Sequence, residues 1–360
     1  MKRATDILIA GAGLSGLALA HACHKAGREV LVVEARERAA GRILTRRLGG
    51  AAYDLGPAWF WPGQPRVAEL ARRLGLEVFE QYATGHLVFQ DGNGRIRRDI
   101  DMAPMAGSLR IAGGMTRLVE GLLADLPAQG ALLGHRLSHL ARKGDGLRAR
   151  VESATGPVEI DAGTAVLALP PRIGAGIGFD PALPDDAMAA MRNVPTWMAG
   201  HAKVIAVYDT PFWRELGLSG DAISHAGPLA EIHDASPADG SAGALFGFIG
   251  VPASARAELH AGTGDALKAA SQAQLATLFG ARAADPVALH LQDWAVEPET
   301  ATEADRNAPP TAHPRYGLPL QLGDLWEGRL HFASSEMGES FGGFLEGALE
   351  AAEATARKIL

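Results

Sequence analysis

The stretch Asp6-Ile7-Leu8-Ile9-Ala10-Gly11-Ala12-Gly13-Leu14-Ser15-Gly16, running on into Leu17-Ala18-Leu19-Ala20-His21-Ala22, decides the fold. Ile7 to Ala10 is an uninterrupted apolar run, as a strand buried on both faces requires. Three glycines in a GxGxxG spacing follow, and then small and apolar residues suited to a helix packed on that strand. Strand, glycine turn and helix in this order make the βαβ unit that binds a dinucleotide. Gly11 permits the tight turn, Gly13 leaves room for a pyrophosphate to reach the backbone, and Gly16 lets the helix lie close to the strand. Leu14, Ser15 and Gly16 open the helix, whose free N–H groups and positive dipole end face the phosphates. Beyond Gly16 a second apolar run, Val30 to Val33, ends in Glu34. An acid there accepts hydrogen bonds from ribose hydroxyls and repels a 2′-phosphate.

The bulk composition narrows the class. The chain has 360 residues, 47% hydrophobic and 21% charged, which is enough for two lobes around a large core. Its 34 basic and 41 acidic residues leave a net charge of −7, which argues against a nucleic-acid partner. One cysteine, Cys23, excludes an intrachain disulfide and a cysteine-cluster metal site, and no metal is expected. Cys23 falls in the first helix and reads as a packing residue. Met1-Lys2-Arg3 before an apolar run is superficially like a signal peptide, but the glycine fingerprint lies inside that run. No run of about 18 apolar residues is present, so no membrane span is expected. With no tail anchor before Leu360, the expectation is a soluble, cytoplasmic protein with no membrane partner. Its oligomeric state is not legible.

After the ribose acid, Glu34-Ala35-Arg36 continues to Ala40-Gly41-Arg42, a basic segment that NAD enzymes do not need. With it the chain resembles the flavin-containing amine oxidoreductases, the family of monoamine oxidases, polyamine oxidases and L-amino-acid oxidases. The resemblance implies FAD, with Ala35, Arg36, Gly41 and Arg42 at its phosphates. Tyr53-Asp54-Leu55-Gly56-Pro57-Ala58-Trp59 is similar to the family's DLGGxW segment, where the backbone of Gly56, Pro57 and Ala58 would pass the flavin ring. Gly56 would give that close approach. Arg136-Leu137 would face the adenine. Ala165-Val166-Leu167-Ala168-Leu169-Pro170-Pro171 and Phe179-Asp180-Pro181-Ala182-Leu183-Pro184 resemble the strand end and the return to a substrate domain. His201-Ala202-Lys203 through Tyr208 to Pro211-Phe212-Trp213 resembles the family's KxxxxYxxPFW segment. There the lysine, here Lys203, hydrogen-bonds a water at flavin N5. Gly328 to Glu336 and Phe341 to Ala348 are similar to the family's RIYFAGTE and SGYMEGA segments. Glu336, Gly343, Phe344, Leu345 and Ala348 would then meet the cofactor, and the closing helix would aim its N–H groups at the flavin, favouring the reduced state.

The chain also departs from that pattern. Phe344 stands where the family has a cage tyrosine, keeping the ring and losing the hydroxyl. Ser334-Ser335 replaces Gly-Thr, which should weaken hydrogen bonding to the cofactor. Residues 79–112 are strand-like, with a hairpin signal at Asp91-Gly92-Asn93-Gly94, where larger relatives carry a helical insertion. Residues 295–313 contain neither cysteine nor Phe, Trp or Tyr, so FAD would be held non-covalently. One wall of the aromatic cage is also missing, unless Tyr316 or one of Trp59 to Trp61 replaces it. Glu297, Glu299, Glu303 and Asp305 make that loop acidic. It reads as a solvated loop, or as a rim attracting ammonium groups. Among Trp59, Phe60 and Trp61, core packing is expected for most and a cavity position for one. Helices are expected at 65–74, 116–126, 185–193 (capped by Asp185 and Asp186) and 265–279.

The expected fold is α/β. A Rossmann-like FAD domain of the GR2 flavoprotein type is built from 1–78, 113–182 and 294–360. A smaller α+β substrate domain comes from insertions at 79–112 and 183–293, with the cavity between the two. The resemblance implies oxidation of a small neutral amine. Hydride passes from the amine α-carbon to flavin N5, the imine hydrolyses, and oxygen reoxidises the flavin to give hydrogen peroxide. Lys203 would position water, with Phe344 and Trp59 flanking the amine. Two alternatives keep FAD: a dehydrogenase or desaturase on a non-amine substrate, and a non-catalytic flavoprotein serving a partner. Lys203 argues against the last. An amino-acid substrate would call for a cavity arginine, and Arg110 and Arg315 are the candidates.

Overall fold

The computed structural model describes residues 2–259, 264–307 and 312–360. Lys2–Ala10 forms the first strand and Leu14–Lys25 the first helix, joined by the glycine turn. The first strand lies between Val30–Val33 and Val158–Leu167, parallel to both. It stands near the centre of an eight-stranded sheet. Strands covered on both faces need apolar side chains at every position, which is why Ile7 to Ala10 and Val30 to Val33 show no alternation. Ile7, Ile9 and Val32 pack under the first helix and the closing helix Leu345–Ile359. Leu8, Leu31 and Val33 face the other way, towards Leu140, Met191 and Phe332. Cys23 lies on the buried face of the first helix, and burial pushes its thiol up to about 11. It is a packing residue, as read.

Val158–Leu167 changes partner along its length. Its first half pairs antiparallel with Gly146–Glu152, and Ala165, Val166 and Leu167 pair in parallel with Leu330–Phe332. The C-terminal segment is therefore inserted into a sheet whose other strands come from the first half of the chain. The closing helix is fastened in turn to the helix Pro65–Arg73. Glu346, fully buried, accepts hydrogen bonds from the backbone N–H groups of Arg66 and Val67 at 3.1 and 3.0 Å, and from the Arg66 guanidinium at 3.1 Å. First-turn N–H groups have no partner within their own helix, and a carboxylate from the neighbouring helix supplies one.

The second sheet has seven strands, in the order Ala288–Asp293, Ala202–Tyr208, Gly243–Ile249, Leu229–Asp234, Leu218–Ser224, His86–Gln90 and Ile96–Ile100. The expected hairpin at Asp91 to Gly94 joins the last two. Ala202–Tyr208 alternates as its sequence implies. Val204, Ala206 and Tyr208 pack on Leu275 and Leu278 of the helix Asp265–Phe279. Ile205 and Val207 face Leu44, Tyr53 and Leu55 of the first half of the chain, and Lys203 shares their side of the strand.

One expected detail is corrected. Asp185 and Asp186 do not cap the helix Asp185–Asn193. Pro184 holds the cap position in an extended conformation, and the two acids occupy the first turn, where they meet the positive end of the helix dipole. No helix among the described residues is long and apolar enough to cross a membrane.

Candidate active site

A cavity of about 580 Å³ runs from the glycine turn to Lys203. At its first end the turn is packed too closely to hold side chains, except where it opens. Gly11 has φ +112°, and a Cβ there would lie 2.5 Å from the Ala168 carbonyl oxygen. A Cβ on Gly16 would collide with the Gly11 carbonyl, so Gly16 seats the helix and does not line the cavity. At Gly13 nothing lies within 4 Å of the Cβ position, and this open side faces the first N–H groups of the helix. The Ser15 hydroxyl donates to the Ala333 carbonyl and ties the helix to the C-terminal segment. Glu34, 5% exposed, accepts the N–H groups of Ala12 and Arg36, both at 2.9 Å. It clamps the two turns together, and its oxygens keep lone pairs for ribose hydroxyls.

Arg42 lines the cavity, but its guanidinium is held from behind. It donates to Glu336 at 2.5 and 3.1 Å and to the Ser335 hydroxyl at 3.0 Å. Burial works to raise the Glu336 carboxyl, yet the Arg42 charge and hydrogen bonds hold it below its ordinary range. Glu336 itself does not reach the cavity, and neither does Ala58. Glu336 acts through Arg42, and Ala58 is core. Gly56 does border the cavity. Its missing side chain, however, makes way for the backbone of Arg42 to Leu44, not for a ligand as the sequence implied.

The far end is bounded by rings. Trp59 meets Phe246 edge to face at 5.1 Å, and Phe246 meets Phe248 at 4.8 Å. Phe248 leads to His201 (6.4 Å), His201 to Trp197 (6.5 Å), Trp197 to His313 (5.1 Å), and His313 stacks on Phe344 at 4.8 Å. This belt starts and finishes at the two aromatic residues expected from the sequence. Trp197 is the added member that lines the cavity. Tyr316 is not the replacement wall. Its hydroxyl donates to the Pro195 carbonyl at 2.7 Å, and its ring packs behind Gly342 and Gly343. Of the three clustered rings, Phe60 is core and Trp61 is partly exposed.

Lys203 points into the belt. Its Nζ donates to the Gly56 carbonyl at 2.6 Å and lies 5.6 and 5.4 Å from the Phe246 and Phe248 ring centres. Burial pulls its ammonium down to about 8, with Asp54 opposing. Burial also pushes Asp54 up to about 6, against hydrogen bonds from Thr45 and the Met115 N–H. Behind Trp59 sits His233, 5.3 Å away and fully enclosed. Burial works against its charge, but hydrogen bonds to Asp221 and Glu231, both at 2.9 Å, raise it to about 9.

Leu14, Ala35, Arg36, Gly41, Pro57, Leu137, Gly343, Leu345 and Ala348 line the cavity as expected. The sequence did not point to Ala168 to Pro170, Trp197 to Ala199, or Pro298, Thr300 and Thr302 as cavity residues. The first group had a usable signal. Val158–Leu167 runs parallel to the first strand, so its end opens on the same crevice. Trp197 lies in an aperiodic connection that carries no such signal. Arg110 is withdrawn as a carboxylate partner. It is buried, with its guanidinium on the Ala235 and Ser236 carbonyls at 2.9 and 2.8 Å. Arg315 is exposed and away from the cavity.

The acidic loop is also corrected. Glu297, Glu299 and Asp305 are paired with Arg36, Arg136 and Arg172, and are not a free rim. Only Glu303 of the four stays exposed, and residues 308–311 of the same stretch lie outside the described residues. The donor set fits FAD. An open helix N-terminus, a ribose acid and arginines stand at one end, and a ring-lined space at the other. Cys23 lies in the core away from the cavity, so no cysteinyl bond to the flavin forms.

The chain matches the family described as flavin containing amine oxidoreductase over residues 93–360, and the NAD(P)-binding Rossmann-like domain over residues 9–74. Amine oxidase [flavin-containing] B of Sus scrofa is 26% identical, over 100% of this chain and 87% of that protein. That alignment runs over 460 positions, so the relative carries segments this chain lacks. A structure of putrescine oxidase bound to putrescine superposes with a TM-score of 0.80 at 22% identity, over 100% of this chain and 99% of that one. Cyclohexylamine oxidase from Brevibacterium oxydans gives 0.81 at 21% identity, over 99% and 98%. Fold and site together define an FAD-dependent oxidoreductase. The chain belongs to the flavin-containing amine oxidoreductase family.

Proposed function

We propose that this enzyme oxidises a neutral monoamine with an apolar body, and that oxygen is the electron acceptor. The ring belt closed by Lys203 is the observation that carries the reading. An apolar substrate body gains contact with Trp59, Trp197 and Phe344, while the cations beside Phe246 and Trp59, Lys203 and His233, disfavour a charged ammonium there. Among the described residues, the carboxylates lining the cavity are Glu34 and Glu299. Glu34 is engaged at the glycine turn and Glu299 by Arg136. A diamine would bring its second ammonium to the belt with no carboxylate to receive it.

When bound, FAD supplies the redox chemistry, taking the hydride equivalent from the amine α-carbon and passing electrons to oxygen to give peroxide. The protein orients and excludes. Glu34, Arg42 and the open side of Gly13 would hold the nucleotide end. The N-terminus of Leu345–Ile359, reached through Gly343 and Phe344, would meet the ring end. Lys203 Nζ spends one donor on Gly56 and has two left, enough to hold a water facing the cavity. The division into an FAD lobe (1–78, 113–182 and 294–360) and a substrate lobe (79–112 and 183–293) is part of this reading. It is supported by strand membership, since every strand of the eight-stranded sheet falls in the first set and every strand of the seven-stranded sheet in the second.

The test is anaerobic mixing with an arylalkyl monoamine, putrescine and an L-amino acid, following the flavin band near ~450 nm and then admitting air. Bleaching by the monoamine, with peroxide on aeration, is the expected result. Faster bleaching by putrescine would overturn the substrate class. A yellow protein that no amine reduces would favour the dehydrogenase or desaturase alternative.

A further inference from the structure

The segment Trp294–Asn307 borders the cavity through Trp294, Pro298, Glu299, Thr300 and Thr302. Three arginines from three separate elements hold it down. Arg36, just past the strand Val30–Val33, donates to Glu297 at 3.2 Å and to the buried Thr300 hydroxyl at 2.8 Å. Arg136, at the start of the strand Arg136–Lys143, forms a two-point ion pair with Glu299. Arg172, in the short helix Pro171–Gly174, pairs at 2.5 Å with Asp305, which also accepts the Thr196 N–H. Arg36, Arg136 and Arg172 line the cavity, and so do Glu299, Thr300 and Thr302 of the segment itself.

We propose that Trp294–Asn307 is an ionic clasp that retains the cofactor, with Glu297, Glu299 and Asp305 as its closing groups. The proposal rests on the reading of this cavity as the FAD site. No cysteinyl bond holds the flavin, so retention depends on non-covalent closure. Glu299 brings negative charge to the wall of a cavity read as holding an anionic cofactor, which is unfavourable unless a cation neutralises it, and Arg136 does so. FAD cannot leave past Glu299 and Thr300 without parting these pairs. Two of the three are partly open to solvent, with Arg136 half exposed, so salt weakens them.

The experiment measures FAD release from the purified holoprotein by recovery of free flavin fluorescence, between low and high salt. Release from the wild type should speed up at least tenfold across the range. Glu299→Gln and Glu297→Gln should release FAD about tenfold faster at low salt and show a flatter salt dependence. The charge-swapped pair Arg136→Glu with Glu299→Arg should restore slow release. Arg72→Gln, which breaks only an exposed helix-surface pair with Glu69, should release FAD as the wild type does. Unchanged release in the glutamine variants would overturn the clasp. So would slower release, because freed arginines would then be binding the phosphates directly. A salt dependence as steep in the variants as in the wild type would place it in phosphate contacts and likewise overturn it. Failure of the wild type to take up FAD at all is a separate result, and would overturn the cofactor reading instead.

Discussion

Lys203 shows what burial does to a single residue. In composition it is one of 34 basic side chains, and only its neighbours Tyr208 and Pro211-Phe212-Trp213 mark it out. In the fold its ammonium is enclosed by two rings and one carbonyl, and titrates near 8. With an amine whose own pKa lies well above that value, flavin reduction should show an inflection near pH 8 as Lys203 loses its charge beside the substrate. Lys203→Met should remove that inflection and slow reduction on the order of 100-fold, the low end of what a positioned proton-handling group contributes. An inflection that persists in Lys203→Met belongs to another group. Other residues were less legible. Trp197 is one of six tryptophans in a connection without periodicity, and only the fold brings it to the cavity. Gly56 was legible as a glycine but not for its reason, because the backbone that excludes a side chain there comes from a different turn.

At the scale of elements, patterning and charge decide most of what forms. The buried parallel strands, the hairpin at Asp91 to Gly94 and the helix Asp265–Phe279 follow from runs, turn residues and helical spacing that are all local. Clamps between elements are not local and were missed. His233 is the clearest case, joining its own strand to Asp221 of the neighbouring strand beneath Trp59. Its folded pKa of about 9 lies above the unfolded value of 6.5. Its contribution is therefore fully present below pH 6.5 and is lost as pH rises through 9. The stability advantage of the wild type over His233→Gln should shrink by roughly 2 kcal/mol between pH 6.5 and 9 in denaturant titrations. An advantage that stays constant across that range would mean the imidazole is neutral in the fold. Glu346 is a second such clamp. Glu346→Gln should cost about 2 kcal/mol, because the Arg66 guanidinium and two helix N–H groups lose their charged acceptor. A loss below about 0.5 kcal/mol would show that water serves those donors equally well.

At the scale of the whole molecule, the sequence implied three segments alternating with two others, but not which strands pair within each sheet. Hydrogen bonds between residues far apart in the chain close each sheet. Strand pairing of this kind is set by partners no local pattern encodes, as Val158–Leu167 shows by using one partner for its first half and another for its second. The short region 79–112 was readable only against the resembled family, which carries a helical insertion there. The paired acids of 297–305 were not, because a charge run looks the same whether it meets water or arginines. Ligand binding also has a signature at this scale. FAD at about 100 times its dissociation constant should stabilise the fold by about 2.7 kcal/mol, seen as a rise of a few degrees in the thermal midpoint. Riboflavin lacks the pyrophosphate and the second nucleotide, so it should give little of that rise. Equal protection by riboflavin would show that the glycine turn and Glu34 contribute no binding.

The Ser15 hydroxyl bonds to Ala333 across 318 residues of chain, and the first and closing helices pack side by side. During synthesis the N-terminal strand and helix therefore leave the ribosome long before their last neighbours exist. The parallel slot beside Ala165 to Leu167 stays open until Leu330–Phe332 emerges, and the apolar back of the first helix stays bare until Leu345–Ile359 follows. A nascent chain with an unpaired inner edge and an uncovered core face is a target for chaperones and for aggregation. The cofactor site is then complete only once Leu345–Ile359, which lines it through Leu345 and Ala348, has been made. Yield in a cell should respond to chaperone supply and growth temperature more strongly than to flavin supply.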